Sequence, residues 1–323
     1  MSARNKRRGS FPALPLCAAM APLMSRCAGA GWLSAGLGAG GAALLLHRLY
    51  ALSPAGHERQ KDTPSSAVLR IIAGAMLLLL AARAAISGTH AFARTAGDPT
   101  AACLLLALSL WAASGGPRPA ARCAGILLRL VLVFFLIVTV FSLPQLRFAW
   151  LQPRVRPDRI LSCFGLLLVP GAALWLREEK GNGSALWLLS PLAASSAAIT
   201  GGVLSPALAA KENSFLTLAR SVSVLGGMRR FEALVSGAML PAWFCLCTLL
   251  LCAARDAVPM PKNTRPYLIE TAEAGSCFLL LPVAMRLNLT TVAVISAISC
   301  GLIPLILLSV DHKKIFRNFE KKC

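Results

Sequence analysis

Long apolar blocks alternate with short polar segments along the whole chain. Several blocks reach the ~20 residues that a helix needs to cross the hydrocarbon core of a bilayer. The pattern therefore predicts an all-α polytopic membrane protein that forms a single integral membrane domain over residues 1–323. About ten transmembrane helices are expected, at residues 11–28, 30–46, 66–88, 100–114, 121–143, 160–176, 184–208, 232–254, 270–288 and 291–310.

Composition agrees with this reading of the pattern. The chain is 56% hydrophobic and only 14% charged, whereas soluble domains carry about 25% charged residues. The net charge of +20 raises the possibility of a nucleic-acid partner. However, the basic residues are scattered over nearly every loop, as in membrane proteins whose loop charge sets orientation. The expected surroundings are therefore a lipid bilayer, and no nucleic acid is predicted.

The distribution of basic residues predicts the topology. If all ten spans cross and the N-terminus is inside, the inside segments hold 19 Lys and Arg and the outside segments hold nine. If the first block does not cross, the split becomes 15 against 13. Cytoplasmic segments are usually the richer in Lys and Arg. Ten spans, two cytoplasmic termini and a basic cytoplasmic tail at 311–323 are therefore expected.

An alternative is open for the start of the chain. Residues 1–30 also resemble a signal peptide, with a basic start followed by a modest apolar run. Cleavage would leave nine spans in the same topology. Pro12, Pro15 and Pro22 interrupt the apolar run, and Arg26 stands directly before Cys27, which suits a lipoprotein cleavage site poorly.

Helix-breaking residues indicate a candidate ligand site. The ten spans divide into two sets of five, repeat one at about 11–143 and repeat two at about 160–310. Proline removes a backbone donor and interrupts a helix, and the first span of each repeat carries such residues. Interrupted helices at matching positions of inverted repeats indicate a midplane binding site, although membrane helices also tolerate Pro and Gly without one. The candidate residues are Pro15, Pro22, Gly165, Pro170 and Gly171.

Charges within the spans add one further candidate. Arg129 is the deepest, eight residues into the fifth span, where it could bind a substrate carboxylate or extend to the lipid headgroups. Arg83 and Arg286 lie closer to span ends and are expected to reach headgroups. No acidic residue lies near the middle of a span, which argues against a standard ion-driven pump.

No catalytic or metal-binding motif is present in the sequence. GxSxG, HExxH and the phosphate-binding Walker loop are all missing, and most of the 11 cysteines lie within apolar blocks. There such cysteines act as small apolar residues. The sequence therefore predicts neither an enzyme nor a metal site, and no cofactor.

The polar segment 209–231 has the spacing of an interfacial helix. Val222, Leu225 and Phe231 can face apolar surroundings while Arg220, Arg229 and Arg230 reach headgroups. A membrane-surface connector explains this pattern without any chemistry.

Four stretches resemble a known family. They are "AGAGWLSAGLGAGGAALLLHRLYAL" (28–52), "ASGGPRPAARCAGILLRLVLVFFLIVTVFSLPQLRFAWLQP" (113–153), "ARSVSVLGGMRRFEALVSGAMLPAWF" (219–244) and "FRNFEKKC" (316–323). The chain resembles the spore germination permeases, the B subunits of nutrient germinant receptors in the amino acid/polyamine/organocation superfamily. The third stretch matches the family's pattern at Arg220, Arg230, Glu232 and Trp243.

The resemblance implies a LeuT-like five-plus-five inverted repeat in the inner membrane of the spore. It implies that a small nutrient such as an amino acid binds between helices one, three, six and eight. The partners implied are an A-type subunit and a lipoprotein C-type subunit. Two other functions stay open, namely an ordinary amino-acid or polyamine permease and a ligand-free membrane assembly or scaffold protein.

Overall fold

The structure is a computed structural model, and all structural statements below concern the residues that it describes. These are residues 13–53, 64–90, 99–151, 153, 155–176, 183–204, 206–209, 213–221, 231–258 and 266–309. The architecture is all-helical, with 91% helix and no strand in these ranges. The predicted fold class is confirmed at this level.

Twelve α-helices follow one another in the described ranges. They are α1 Ala13–Ser25, α2 Trp32–Leu52, α3 Pro64–His90, α4 Pro99–Ser114, α5 Pro117–Ser142, α6 Pro157–Leu166, α7 Leu189–Val203, α8 Pro206–Ala209, α9 Ser214–Ser221, α10 Phe231–Ala257, α11 Pro266–Met285 and α12 Leu289–Ala297. A 3₁₀ segment, Val169–Trp175, follows α6, another, Gly183–Leu188, precedes α7, and a π-helical segment, Ile298–Leu302, continues α12. Each of the ten predicted spans coincides with helical structure.

Six helical segments in the described ranges are long and apolar enough to cross a membrane. They are Ser66–His90, Pro117–Gln145, Pro157–Trp175, Ser184–Val203, Val235–Ala257 and Leu289–Ser309. Pro99–Ser114 and Thr271–Met285 are shorter apolar helices. These helices support an integral membrane protein, while the count of ten crossings and the orientation of the termini stay predictions.

The helices pack around α1 and α10. All residues of α1 from Leu14 to Ser25 are buried. This helix contacts α5, α7 and α10, while α10 also packs on α3 and α4, and α2 packs on α6 and α7. The outer wall is apolar, with Ile126 71% and Leu136 62% exposed on α5. Such an apolar surface would promote aggregation in water, but it is the surface that a membrane protein is expected to present to lipid.

The two predicted helix interruptions differ in the structure. The α-helix of span six ends at Leu166, and the chain continues as the 3₁₀ segment that contains Pro170. In contrast, α1 runs unbroken through Pro15 and Pro22, so the prediction that these prolines break span one is wrong for the described residues. Pro15 is the third residue of α1, where no intrahelical donor is lost. The chain turns only after Ser25, at the 3₁₀ turn Cys27–Gly29.

The structure describes only part of segment 209–231, so its predicted role at the membrane surface stays a prediction. Its described part is the short helix α9, whose Phe215 stacks on Phe135 of α5 with ring centroids 5.4 Å apart. The apolar face of α9 is thus buried against protein, and Arg220 is exposed at its end. Residues 222–230, including Val222, lie outside the described residues.

The close approach of Gly171 to α12 generates the first prediction. A Cβ at Gly171 would collide with the carbonyl oxygen of Cys300 in the π-helical segment. We expect Gly171→Ala to destabilise the protein by about 1–3 kcal/mol, because backbone atoms must move apart. Thermal unfolding in detergent measures the effect.

The matched control is Gly237→Ala in α10. Among the described residues, no atom lies within 4 Å of a Cβ added at Gly237, and alanine is the better helix former. Its unfolding midpoint should stay unchanged or rise. Equal losses at Gly171 and Gly237 would contradict the packing described for the 3₁₀ segment.

Candidate functional site

A small cavity lies beside the C-terminal end of α1. Its volume is about 50 Å³, and its walls come from α1, α3, the end of α6 with the following 3₁₀ segment, α10 and α12. The residues that bear on its chemistry are Pro22, Arg26, Arg83, Ser87, Trp243 and Ser296. Four of the contributing helices, α1, α3, α6 and α10, lie in predicted spans one, three, six and eight, between which the resemblance implies a nutrient site.

The wall of this cavity is positively charged. Arg26 and Arg83 both line it, both are partly buried, and none of the residues that line it is acidic. Each guanidinium is a planar fork of donors that matches a carboxylate in geometry and charge. Arg26 follows directly after α1, where the negative end of the helix dipole favours a cation. The two guanidinium groups in the wall therefore favour a ligand that carries an anionic group such as a carboxylate.

Two further polar groups at the wall lack hydrogen-bond partners. The Nε1 atom of Trp243 and the Oγ atom of Ser296 are buried, and neither has a partner among the described residues. Trp243 is held against α3, since a Cβ at Gly88 would lie 3.0 Å from its Cβ and Cγ atoms. A buried polar group without a partner costs roughly 1–3 kcal/mol. The indole N–H of Trp243 and the hydroxyl of Ser296 could therefore form hydrogen bonds with a ligand in the cavity.

The predicted ligand-binding residues lie at different distances from the cavity. Pro22 lines it. Gly165 and Pro170 are chain neighbours of the lining residues Leu166 and Val169. Gly171 packs on Cys300 in the π-helical segment that continues α12.

Two further predicted ligand residues, like Gly165, Pro170 and Gly171, are not among those that line the cavity. Pro15 is buried two turns before Pro22 in α1 and is not among the lining residues. Arg129 is exposed on the outer wall of α5, which matches the alternative that it extends along the lipid surface.

The motif residues of the resemblance are also dispersed. Trp243 is buried in the middle of α10 and lines the cavity. Arg220 is exposed at the end of α9. Arg230 lies outside the described residues, and Glu232 is described only by its place in the first turn of α10.

Sequence reasoning missed Arg26, Arg83 and Ser296 as site residues. Arg83 was expected to reach the headgroups, but it lines the cavity together with Leu80, Ala84 and Ser87. Arg83, Ala84 and Ser87 follow Leu80 by three, four and seven residues, so all four side chains lie on one face of α3. This spacing is visible in the sequence, but α3 is apolar on most sides, so the pattern alone does not show which face is inside.

A buried ion pair lies elsewhere in the bundle. The Nε atom of Arg255 on α10 is 3.6 Å from the Oε2 atom of Glu273 on α11. Arg255 also donates through Nη1 to the carbonyl oxygen of Ala113, at 3.4 Å, near the end of α4. Glu273 lies near the start of the predicted span 270–288, but α11 begins at Pro266 and buries it two turns in. The Arg255 guanidinium thus connects α10 with α11 and α4, and neither member of the pair lines the cavity.

Comparison with known proteins adds no relative. No family model matches the chain, and no curated protein matches it. The resemblance to the germination permeases therefore depends on the quoted motifs.

The unpartnered hydroxyl of Ser296 generates a stability prediction. Ser296→Ala removes a buried polar atom that has no partner, so we expect the free energy of unfolding to rise by about 1 kcal/mol. The control on the same turn is Ser299→Ala, because the Ser299 hydroxyl donates to the Ile295 carbonyl oxygen at 2.8 Å. Unfolding midpoints in detergent should rise only for Ser296→Ala. A similar shift for both variants would show that the Ser296 hydroxyl is not an unpaired group.

Proposed function

We propose that this protein is a permease-like membrane subunit that binds a small carboxylate-bearing nutrient, such as an amino acid. The observation that carries the proposal is the cavity beside α1, with Arg26 and Arg83 in its wall. A ligand carboxylate would accept hydrogen bonds from the guanidinium groups. Trp243 and Ser296 would supply further polar contacts from α10 and α12.

Helix packing supports a LeuT-like five-plus-five arrangement for this proposal. Spans one to five are α1 to α5, and spans six to ten contain α6, α7, α10, α11 and α12. Contacts made by one repeat have equivalents made by the other. The α1–α5 contact corresponds to the α6–α12 contact, and the α2–α6 contact corresponds to the α7–α1 contact. The α4–α10 contact likewise corresponds to the α11–α3 contact. Equivalent spans also meet directly, since α2 packs on α7 and α3 on α10. The α3–α4 contact has no comparably extensive equivalent between α10 and α11 in the described residues.

Size and charge narrow the class of ligand. Pockets for drug-sized molecules have volumes of about 300–1,000 Å³, whereas this cavity has about 50 Å³. The ligand that fits this conformation is therefore small. The positive wall repels cations, so a short amino acid suits the site better than a polyamine does.

The finer proposal is a subunit of a spore nutrient germinant receptor. It is supported by the four stretches of resemblance and not by the comparisons. In this role, the protein would lie in the inner membrane of the spore with A-type and C-type subunits, and ligand binding would trigger germination. An ordinary amino-acid permease would use the same cavity but would show steady uptake, and a scaffold protein would bind no nutrient.

The cavity arginines generate a binding prediction. Losing a hydrogen bond to a charged group costs about 1.5–3 kcal/mol, so Arg83→Gln should weaken amino-acid binding by at least about tenfold. The control is Arg129→Gln, which removes the same charge from the outer wall and should leave affinity unchanged. Thermal shifts of the purified protein with single amino acids measure both effects. The binding proposal fails if no amino acid shifts the wild-type midpoint, or if both variants lose affinity equally.

Dipicolinate release from spores tests the physiological role. A strain lacking this gene should lose its response to one nutrient in a panel of single amino acids. Its response to a non-nutrient trigger should persist. An unchanged response to every nutrient, together with concentrative uptake in growing cells, would favour the ordinary permease instead.

A further inference from the structure

A second cavity opens between the helices of the outer wall. Its volume is about 280 Å³, and it is lined by α1, α4, α5 and α10. The lining is almost wholly apolar and includes Leu108, Trp111, Pro119, Cys123 and Phe244. We call this cavity the α4–α5 groove. Trp111 is 78% exposed and Leu108 55%, so the groove lies on the surface that faces lipid.

The volume of the groove is suited to a flexible apolar chain. An engineered apolar cavity of about 150 Å³ already takes benzene, so 280 Å³ accepts a longer apolar segment. A helix from a partner protein is about 10–12 Å across with its side chains and cannot enter such a space. An acyl chain is a single file of methylenes and can enter.

Two arginines lie on the part of α5 that lines the groove, although neither is itself a lining residue. Arg118 and Arg122 are exposed and lie four residues apart on α5, so they share a helix face. The groove residues Pro119 and Cys123 have the same spacing one position further along. The positive pair therefore lies on the neighbouring face of α5, about 100° around the helix from Pro119 and Cys123, and the long side chains can reach a headgroup at the mouth of the groove. The loop before α5 is predicted to be cytoplasmic, and the cytoplasmic leaflet carries the anionic lipids.

We propose that the α4–α5 groove is a binding site for one anionic phospholipid. An acyl chain fills the apolar lining, and the lipid phosphate accepts hydrogen bonds from Arg122 and Arg118. Burial of the chain supplies affinity through the apolar contact, and the arginines supply the preference for an anionic headgroup. This site is separate from the cavity beside α1 and does not depend on the proposed nutrient ligand.

Native mass spectrometry of the full-length protein tests this site. The protein is released from micelles that contain equal amounts of phosphatidylglycerol and phosphatidylcholine. Wild type should retain one phosphatidylglycerol molecule in preference to phosphatidylcholine. The variant Arg118→Gln/Arg122→Gln should lose this preference, by about fivefold for each arginine removed. Cys123→Trp, which fills the groove from an exposed position, should abolish retention of the lipid.

Matched controls separate the groove from the general membrane surface. Arg147→Gln removes an exposed charge beyond the other end of α5, and Leu130→Trp adds bulk to α5 outside the groove. Neither should change retention. The proposal is overturned if both lipids are retained equally by wild type, or if the controls lose the lipid as the groove variants do. It is also overturned if wild type is detected as a dimer that Cys123→Trp dissociates, because the groove would then bind a second copy of the chain.

Discussion

The hydrocarbon core of a membrane offers no water to an unpaired backbone group, so any interrupted helix must be enclosed by protein. The 3₁₀ segment Val169–Trp175 obeys this constraint, since all its residues except Leu174 are buried. The hydroxyl of Tyr50 on α2 donates to the Pro170 carbonyl oxygen at 3.1 Å. The Nε1 atom of Trp175 donates to the Ser299 carbonyl oxygen, also at 3.1 Å. Hydrogen bonds to and from the 3₁₀ segment thus connect it with α2 and with the π-helical segment.

The irregular segment of α12 belongs to the same arrangement. Ile298–Leu302 is π-helical, a geometry that displaces backbone groups from the regular ladder and is frequent at functional sites. It lies opposite the 3₁₀ segment, where Gly171 allows the backbone of Cys300 to approach. Gly165 allows the same approach of Ala293 to α6. Small residues at both positions bring α6 and α12 together, as is common for helices packed in membranes.

Sequence patterns predicted the helices because each apolar run is long and is bounded by polar residues. They predicted the change of geometry near Pro170, because proline removes a donor wherever it stands. They could not predict that α1 continues through Pro22, since that depends on the surrounding helices.

Sequence patterns did not show which arginines line the cavity, because the pattern of a helix that is apolar on most sides does not indicate which face points inward. Arg129 lies five residues after the buried Ala124, about 140° around α5. The small residues Ala120, Ala121 and Ala124 mark the packed face of α5, and they were the available signal that Arg129 points away.

The placement of charge links stability to the proposed ligand. Glu273, a buried carboxylate, is paired with Arg255 where α4, α10 and α11 meet, while no acidic residue lines the cavity that Arg26 and Arg83 face. The buried polar atoms of Trp243 and Ser296, which have no hydrogen-bond partner among the described residues, are costly. An anionic ligand that accepts hydrogen bonds from them would reduce this cost. Because it would bind the folded bundle and not the unfolded chain, it would stabilise the bundle by mass action, and its loss would loosen the packing of the helices that line the cavity.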